Sequence, residues 1–298
     1  MKISTALATL SLSLLPALAD ASPLLDPRAV PTAVAAPLTA AVRADRARHP
    51  DAYRRVADLA GLRPEVYRST RGGRPTVSIE LRSLGPAALL PMLDVLALSG
   101  YSRALSAEEQ GALRLGLLEA VGGLRDARAL PVLRGVFATT TEAPELRAAA
   151  RGLARVCEDA DLRTLMGATG ARRDPAAAAL GLCARPDAAQ WMVAQLEATT
   201  DPAHAVALAS GLAESASSWA GPGARRAVDA PLRVRAARAL IRRWRELPAQ
   251  RDALGVAVLS MGGPEVLAAV RDAQRDAPAD AQPGLRRLER ALVRDTNR

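Results

Sequence analysis

Several residue types are almost missing from this chain of 298 residues, and each scarcity narrows what the protein can do. Lys2 is the only lysine, Asn297 is the only asparagine, and isoleucine occurs three times. Alanine, arginine, glycine and proline abound instead, and their GC-rich codons make a GC-rich genome the simplest cause of the arginine excess. The net charge of +9 therefore indicates nonspecific attraction to polyanions and is weak evidence for a phosphate-binding site.

Aromatic residues are scarce as well. A protein that binds single-stranded nucleic acid or sugar by stacking normally presents aromatic platforms, and the few aromatics here are too scattered along the chain to form one. The core is expected to consist of leucine, valine and alanine, whose small side chains let helices pack closely. The aromatic residues are Tyr53, Tyr67, Tyr101, Phe137, Trp191, Trp219 and Trp244.

The residues that usually carry metal or nucleophilic chemistry are few. His49, His204, Cys157 and Cys183 are spaced too widely for a zinc site, and neither histidine belongs to an HExxH motif. No serine lies in a GxSxG sequence. A nucleophilic pair of Cys183 and His204 is disfavoured against two residues packed within helices. We predict no metal, no cofactor and no catalytic residue, and expect both histidines to be exposed.

Long apolar runs are missing after the start of the chain. No later segment has the roughly 18 uninterrupted apolar residues of a transmembrane helix. At the start, Lys2 precedes an apolar run from Ile3 to Leu15, and a small-x-small sequence follows at 17–19. This order is typical of a secretory signal peptide. We predict a signal peptide over 1–19 that is cleaved near Ala19, and a secreted or periplasmic protein, which argues against cellular DNA and RNA as specific partners.

Composition divides the rest of the chain into three parts. Residues 20–37 are rich in proline and alanine without periodicity, which predicts a flexible lead. Residues 38–85 are predicted to be partly helical and partly irregular, with a helix from Pro50 to Ala60 because Pro50 suits a first helical position and Gly61 a helix end. The remainder, 86–298, carries a repeat.

The segment 76–84 fits two secondary structures. Val77, Ile79 and Leu81 alternate as in a strand, whereas Val77, Leu81 and Leu84 share one face of a helix. The preceding stretch 69–75 is expected to be a loop, and it lacks the lysine of a phosphate-binding P-loop. We favour a helix over 76–84, because a lone strand would have no partner in a chain that is otherwise helical.

A short helical unit returns about every 30 residues after residue 86, and such a period is typical of solenoids, in which each helical hairpin buries its apolar face against its neighbours. We therefore predict an all-α fold, a right-handed α-solenoid of stacked antiparallel helix pairs. The unit is clearest in the segments that start at Gly111, Glu145, Asp174, Asp201 and Pro231.

Capping signals set the limits of the repeat helices. Ser106 and Glu109 form a capping-box pattern, and Asp174 and Asp201 each precede a proline, as N-cap residues do. Asp126, Asp161 and Asp187 stand where other helices should begin. The helices are predicted near 86–98, 107–122, 127–137, 144–157, 161–167, 175–184, 188–198, 202–214, 231–246, 249–260, 264–275 and 283–295, with a longer loop at 215–230.

These repeats carry motifs of a known superfamily. Segments 146–153 and 234–240 place an arginine before small residues and leucines, and segments 84–89 and 262–267 contain Gly-Pro ahead of a leucine. In these features, over 84–298, the chain resembles the HEAT-repeat superfamily, and particularly the short HEAT-like repeats of the phycobilisome-lyase type. The resemblance implies a stacked helical fold that can serve as a scaffold, as a binding protein or, in a few cases, as an enzyme.

The two cysteines occupy equivalent places in adjacent repeats. A shift of the sequence by 26 residues lays Cys157 over Cys183. Exported proteins commonly pair an even number of cysteines. Stacked helix axes lie about 8–10 Å apart, so a disulfide requires both side chains to point into the shared interface. A disulfide and two buried free thiols are both open alternatives.

The densest basic run lies on the helix predicted at 231–246. Its apolar stripe is flanked, about 100° round the helix, by a stripe of arginines, and no acidic residue lies between Asp229 and Glu246 to neutralise them. An ordinary solvated face and a binding face for carboxylate or phosphate are both consistent with this pattern. The apolar stripe is Val234, Ala237, Ile241 and Trp244, and the arginine stripe is Arg235, Arg238, Arg242 and Arg245.

The function that this pattern favours is noncatalytic. We predict an exported HEAT-like scaffold that binds a protein partner or an acidic surface. The alternatives are an enzyme or enzyme accessory of the lyase-like HEAT class, which would need a cleft of converging ionisable groups, and an envelope polyanion binder, which would need its basic stripes on one continuous face.

Overall fold

The computed structural model describes residues 22–60, 70–71, 74–101, 105–216 and 229–296. The predicted signal peptide, 1–19, lies outside these residues. So does most of the loop predicted at 215–230, because description stops at 216 and resumes at 229.

The described chain is all-helical apart from one small hairpin. Strands β1 (Thr70–Arg71) and β2 (Arg74–Pro75) pair antiparallel, within the segment predicted to be a loop. The α-helices are α1 (Thr32–Arg48), α2 (Pro50–Ala60), α3 (Thr76–Ser83), α4 (Leu89–Ala97), α5 (Ala107–Gly123), α6 (Leu130–Thr139), α7 (Ala143–Val156), α8 (Asp159–Met166), α9 (Arg173–Ala179), α10 (Pro186–Ala198), α11 (Pro202–Ala216), α12 (Ala230–Glu246), α13 (Arg251–Met261), α14 (Gly263–Arg275) and α15 (Gln282–Thr296).

The helices predicted after residue 86 are all present, and the helix favoured over 76–84 is confirmed as α3. Short 3-10 helices extend several of them. They precede α4, α6, α9 and α13 at Pro86–Ala88, Ala127–Ala129, Gly170–Arg172 and Pro248–Gln250, and one follows α9 at Leu180–Cys183.

The N-terminal segment differs from the predicted lead without regular structure. From Ser22 the chain packs as a strap, residues 22–30, in which Leu25 and Ala29 are buried. The N–H of Leu25 donates to the carbonyl of Leu96 (3.1 Å). A 3-10 helix follows at Pro27–Ala29, and α1 begins at Thr32.

The prolines and alanines that suggested a flexible linker are the residues that begin and form helices here. Pro27 stands at the start of the 3-10 helix, and Pro31 is the N-cap of α1, so these prolines begin helical elements. The side chain of Asp26 accepts from the N–H of Arg28 and caps that turn. The alanines of α1 are strong helix formers, and α1 packs against α4.

Two sets of contacts organise the helices. From α4 onward, each even-numbered helix contacts the odd-numbered helix that follows it. The odd-numbered helices α3 to α15 also contact one another in order, and we call them the odd row. The even-numbered helices α8 to α14 contact one another in order as well, and we call them the even row.

Glycine backbones touch within the odd row. A methyl group added at Gly122 of α5 would lie 2.7 Å from the Cα of Gly152 in α7. One added at Gly181, in the 3-10 helix after α9, would lie 1.9 Å from the carbonyl oxygen of Gly211 in α11. Only glycine leaves room for backbones this close.

The disulfide between Cys157 and Cys183 is present, with a Cα–Cα distance of 5.3 Å. Cys157 is the C-cap of α7, in a left-handed conformation, and Cys183 ends the 3-10 helix after α9. The bond therefore joins the C-terminal ends of two neighbouring odd-row elements. The equivalence of the two sites in adjacent repeats, inferred from the 26-residue shift, is consistent with this placement.

Candidate functional site

The arginine stripe lies on α12, whose start is fixed by local chemistry. The Asp229 side chain accepts from the N–H of Leu232 (2.9 Å), and Pro231 occupies the first turn. Ala237, Ile241 and Trp244 of the predicted apolar stripe are buried. Because the apolar stripe faces the core, the arginine stripe faces the neighbouring even-row helices and solvent.

Arg235 has an acidic partner, contrary to the prediction that nothing neutralises the stripe. Its guanidinium binds the carboxylate of Glu197, on α10, through two nitrogens, with one Nε–Oε1 distance of 3.0 Å. The hydrogen bond from Arg235 lowers the pKa of Glu197, and the charge of Arg242 adds to the effect. The sequence pattern missed this carboxylate because it lies on another helix, 38 residues away.

Arg245 is half-buried and donates through Nη2 to the carbonyl oxygen of Asp276 (3.1 Å). This bond ties the end of α12 to the residue after α14. Arg245 therefore has a structural contact, although its side chain also lines the groove described next.

Arg238 and Arg242 are exposed and make no hydrogen bond or ion pair with any described residue. They line one side of a groove of about 560 Å³ between α12 and α14. The groove brings three of the four predicted arginines together and leaves Arg235 outside. The remaining lining residues are Ile241, Glu246, Ala269, Asp272, Ala273 and Pro278.

The two acidic residues of the groove are already paired. Glu246 binds Arg243 of its own helix (2.6 Å), and Asp272 binds Arg275 one turn further along α14. Neither carboxylate pairs with Arg238 or Arg242. The groove thus offers two guanidinium groups whose hydrogen bonds, among described residues, are left to solvent or to a ligand.

Other arginines in this chain hold the fold together. The guanidinium of Arg172 donates to the carbonyl oxygens of Phe137 and Ala138, each at 2.6 Å, at the C-terminal end of α6. Arg243 donates in the same way to Leu196 and Glu197 at the end of α10, each at 2.8 Å. Cations suit helix C-termini because the last carbonyls lack intrahelical partners. Sequence reasoning had no signal for these caps, which join residues far apart in the chain.

A second cluster of ionisable groups lies between α1, α2 and α4, where grooves of about 830 and 520 Å³ meet at the buried Asp94. The Arg46 guanidinium pairs with Asp94 and lies 4.7 Å from the ring centroid of Tyr53. The Tyr53 hydroxyl donates to the Val42 carbonyl oxygen (3.1 Å). Burial, and then the charge of Asp45, raise the pKa of Tyr53, so the phenol keeps its proton at neutral pH. The ionisable groups of this cluster therefore already have partners within the protein.

Only one of the two histidines is exposed, although both were predicted to be. His49 is exposed, but His204 is buried, because it lies in the first turn of α11 and its Nδ1 lies 2.8 Å from a carboxylate oxygen of Asp174 on α9. Cys183 is in the disulfide and cannot form a nucleophilic pair with His204. Within the described residues, no three His, Cys, Asp or Glu side chains are grouped so that they could hold a metal ion.

No helix among the described residues has the length and apolarity needed to cross a membrane. Comparison with known proteins adds no relative: no protein-family model matches the chain, and neither does any curated protein. The groove between α12 and α14 therefore stands on its own geometry as the candidate site.

Proposed function

We propose that this protein is an exported, noncatalytic scaffold of HEAT-like repeats that binds a protein or acidic partner through the groove between α12 and α14. The observation that carries the proposal is the pair Arg238 and Arg242. Both are exposed, both line a concave surface, and neither makes a hydrogen bond or ion pair with a described residue. Arginine binds carboxylates through two parallel hydrogen bonds, which makes such a pair receptive to acidic groups.

The proposed architecture is a right-handed α-solenoid of stacked antiparallel pairs. Contacts between each even-numbered helix and the odd-numbered helix after it support helical hairpins as the unit. The ordered contacts along the odd row support stacking of these units, since solenoid repeats contact chiefly their neighbours.

Export is supported by two independent features. The N-terminal residues have the order of a signal peptide, and disulfides persist chiefly in oxidising compartments outside the cytoplasm. The bond between Cys157 and Cys183 fits a protein that folds after export.

The enzyme alternative has its best support in the cluster around Asp94, which lines both grooves, with the phenol of Tyr53 lining the smaller one. Catalytic groups usually need a pKa near the working pH. The pKa of Tyr53 is raised away from neutrality, and Asp94 is held by Arg46. We therefore place the binding role first.

Affinity capture tests the proposed site. The exported protein would be used to capture partners from its own envelope fraction, beside the double variant Arg238→Gln/Arg242→Gln. We expect the double variant to lose an acidic partner that the original protein captures at about 0.15 M salt, where long-range charge effects are screened.

The matched control is Arg286→Gln/Arg290→Gln on α15. These arginines have the same spacing, are exposed and have no partner among described residues. The control removes the same charge and should keep the partner. Equal capture by the original protein and both variants would show that the groove is not the binding site.

A further inference from the structure

We infer that the groove between α12 and α14 takes a short peptide segment of mixed character, with carboxylates beside apolar side chains, and does not serve a uniformly negative polymer. This inference rests on the proposed function, because it names the kind of acidic partner that Arg238 and Arg242 bind. The evidence for it is the apolar and acidic residues that line the same groove.

The groove has one basic side and one largely apolar side. Arg238 and Arg242 come from α12, four residues apart, so both side chains point the same way. Ala269 and Ala273 come from α14, and Pro278 follows it. A ligand that reaches both guanidinium groups therefore also meets apolar surface, which favours a ligand with apolar side chains of its own.

Ile241 forms the apolar bottom of the basic side. It is one turn from both Arg238 and Arg245 and only 3% exposed. The apolar surface that remains open in the groove comes from the half-buried Ala273 and the exposed Pro278. A leucine or valine beside a glutamate would cover that surface, whereas a phosphate or sulfate polymer would not.

Acidic residues also lie in the groove, and they discriminate between ligands. Asp272 and Glu246 line it together with the arginines. A polymer with a negative charge on every unit would bring some of its charges close to Asp272 or Glu246, and the ion pairs of these two carboxylates with Arg275 and Arg243 reduce the repulsion without removing it. A peptide can place its carboxylates at the arginines and a neutral or basic residue at the acids.

The size of the groove also favours a short peptide segment. A volume of about 560 Å³ is in the range of sites that hold a small ligand or a few side chains. A short segment of a partner protein fits this volume, and the rest of that partner would remain outside the groove.

Three probes test the inference on the purified protein at about 0.15 M salt. The first is a short synthetic peptide with glutamates at i and i+4, leucines between them and a lysine at each end. The second is poly-L-glutamate, and the third is heparin. Fluorescence anisotropy measures the affinity of each labelled probe for the original protein, for Arg238→Gln/Arg242→Gln and for Arg286→Gln/Arg290→Gln.

We expect the mixed peptide to bind roughly tenfold more weakly to Arg238→Gln/Arg242→Gln than to the control variant, because two exposed charge-assisted contacts are lost. Poly-L-glutamate and heparin should be weakened equally by the two double variants, because they sense only the overall positive charge. A further variant, Asp272→Asn, should increase heparin binding several-fold and leave peptide binding unchanged or weaker.

The outcomes separate the two claims. If heparin or poly-L-glutamate is weakened selectively by Arg238→Gln/Arg242→Gln and the mixed peptide is not, the groove binds acidic ligands but the inferred ligand class is wrong. If neither polymer nor peptide responds selectively to that variant, the proposed binding site itself is wrong.

Discussion

The odd row and the exposed face of α12 differ in what their side chains do at the helix surface. At Gly181 and Gly211 the side chain is absent so that backbones can touch. At Arg238 and Arg242 the side chains are long and charged, and they make no hydrogen bond or ion pair with a described residue. The first surface leaves no space for another ligand, and the second leaves hydrogen-bond donors open to one. The tightest packing and the proposed recognition surface therefore lie on different helices, and changes to the two should separate in experiments.

The largest effect is expected from the covalent link along the odd row. Replacing both cysteines, Cys157→Ala/Cys183→Ala, removes a cross-link between residues 26 apart. In the chain-entropy description, a closed loop of this length contributes about 3.5 kcal/mol to the free energy of unfolding. Chemical denaturation of the oxidised protein and the variant measures the loss. Unchanged unfolding midpoints would show that contacts between the helices already supply all the constraint.

The next effect concerns the touching backbones. The variant Gly181→Ala places a methyl group 1.9 Å from a backbone oxygen that cannot move alone, so we expect a loss of about 3 kcal/mol in the free energy of unfolding. The control is Gly111→Ala in α5, where a methyl group meets no atom within 4 Å. That change should stabilise the protein by roughly 0.5–1 kcal/mol, because alanine is the better helix former. A loss of stability in both variants would contradict the close-contact explanation.

A smaller effect distinguishes the ends of the arginine stripe. Removing the guanidinium with Arg235→Gln should lower the free energy of unfolding only slightly, because the ion pair with Glu197 that is lost is exposed to solvent. The pKa of Glu197 is lowered in the folded protein, so the pair stabilises above the ordinary glutamate value of 4.5. That contribution fades as the pH falls through the lowered pKa.

The measurement is the difference in unfolding free energy between Arg235→Gln and the original protein, taken at neutral pH and again in acid. We expect the difference to shrink in acid, where the original protein also loses the pair. A difference that stays constant with pH would mean that Arg235 stabilises by packing and not by charge.

The smallest effect on stability is expected at the groove. Arg238→Gln/Arg242→Gln removes no described hydrogen bond or ion pair, so the melting temperature should stay nearly the same and the free energy of unfolding should change by less than about 0.5 kcal/mol. Circular dichroism against temperature measures both helicity and melting. A substantial loss would show that these arginines stabilise the fold, and any loss of binding would then need another explanation.

Much of the fold could be predicted because its signals are local. The capping box at Ser106 and Glu109 is present, and Asp201 accepts from the N–H of Ala203 as an N-cap does. Other aspartates with the same sequence appearance do something else. Asp174 lies within α9 and meets His204, and Asp161 is buried under the guanidinium of Arg134. A carboxylate at a helix start can serve a cap or a tertiary ion pair, and the sequence alone does not separate the two.

The site was harder to predict for the same reason. Helix periodicity placed Arg235, Arg238, Arg242 and Arg245 on one side of α12, because that relation lies within one helix. It could not show which of them meet Glu197 or the carbonyl of Asp276, since those partners depend on the register between helices. The cysteine pair shows the same limit, because the repeat shift found equivalent positions but not the direction of the side chains.

The strap at residues 22–30 has a consequence for biogenesis. The carbonyl of Ala29 lies where a side chain on Gly135 would be, so the strap can reach its place only after α6, about 100 residues further along the chain, is available. Because a chain is synthesised from its N-terminus, the strap exists well before α6 does. Residues 22–30 are therefore made early and packed late, against a helix that follows them in the chain.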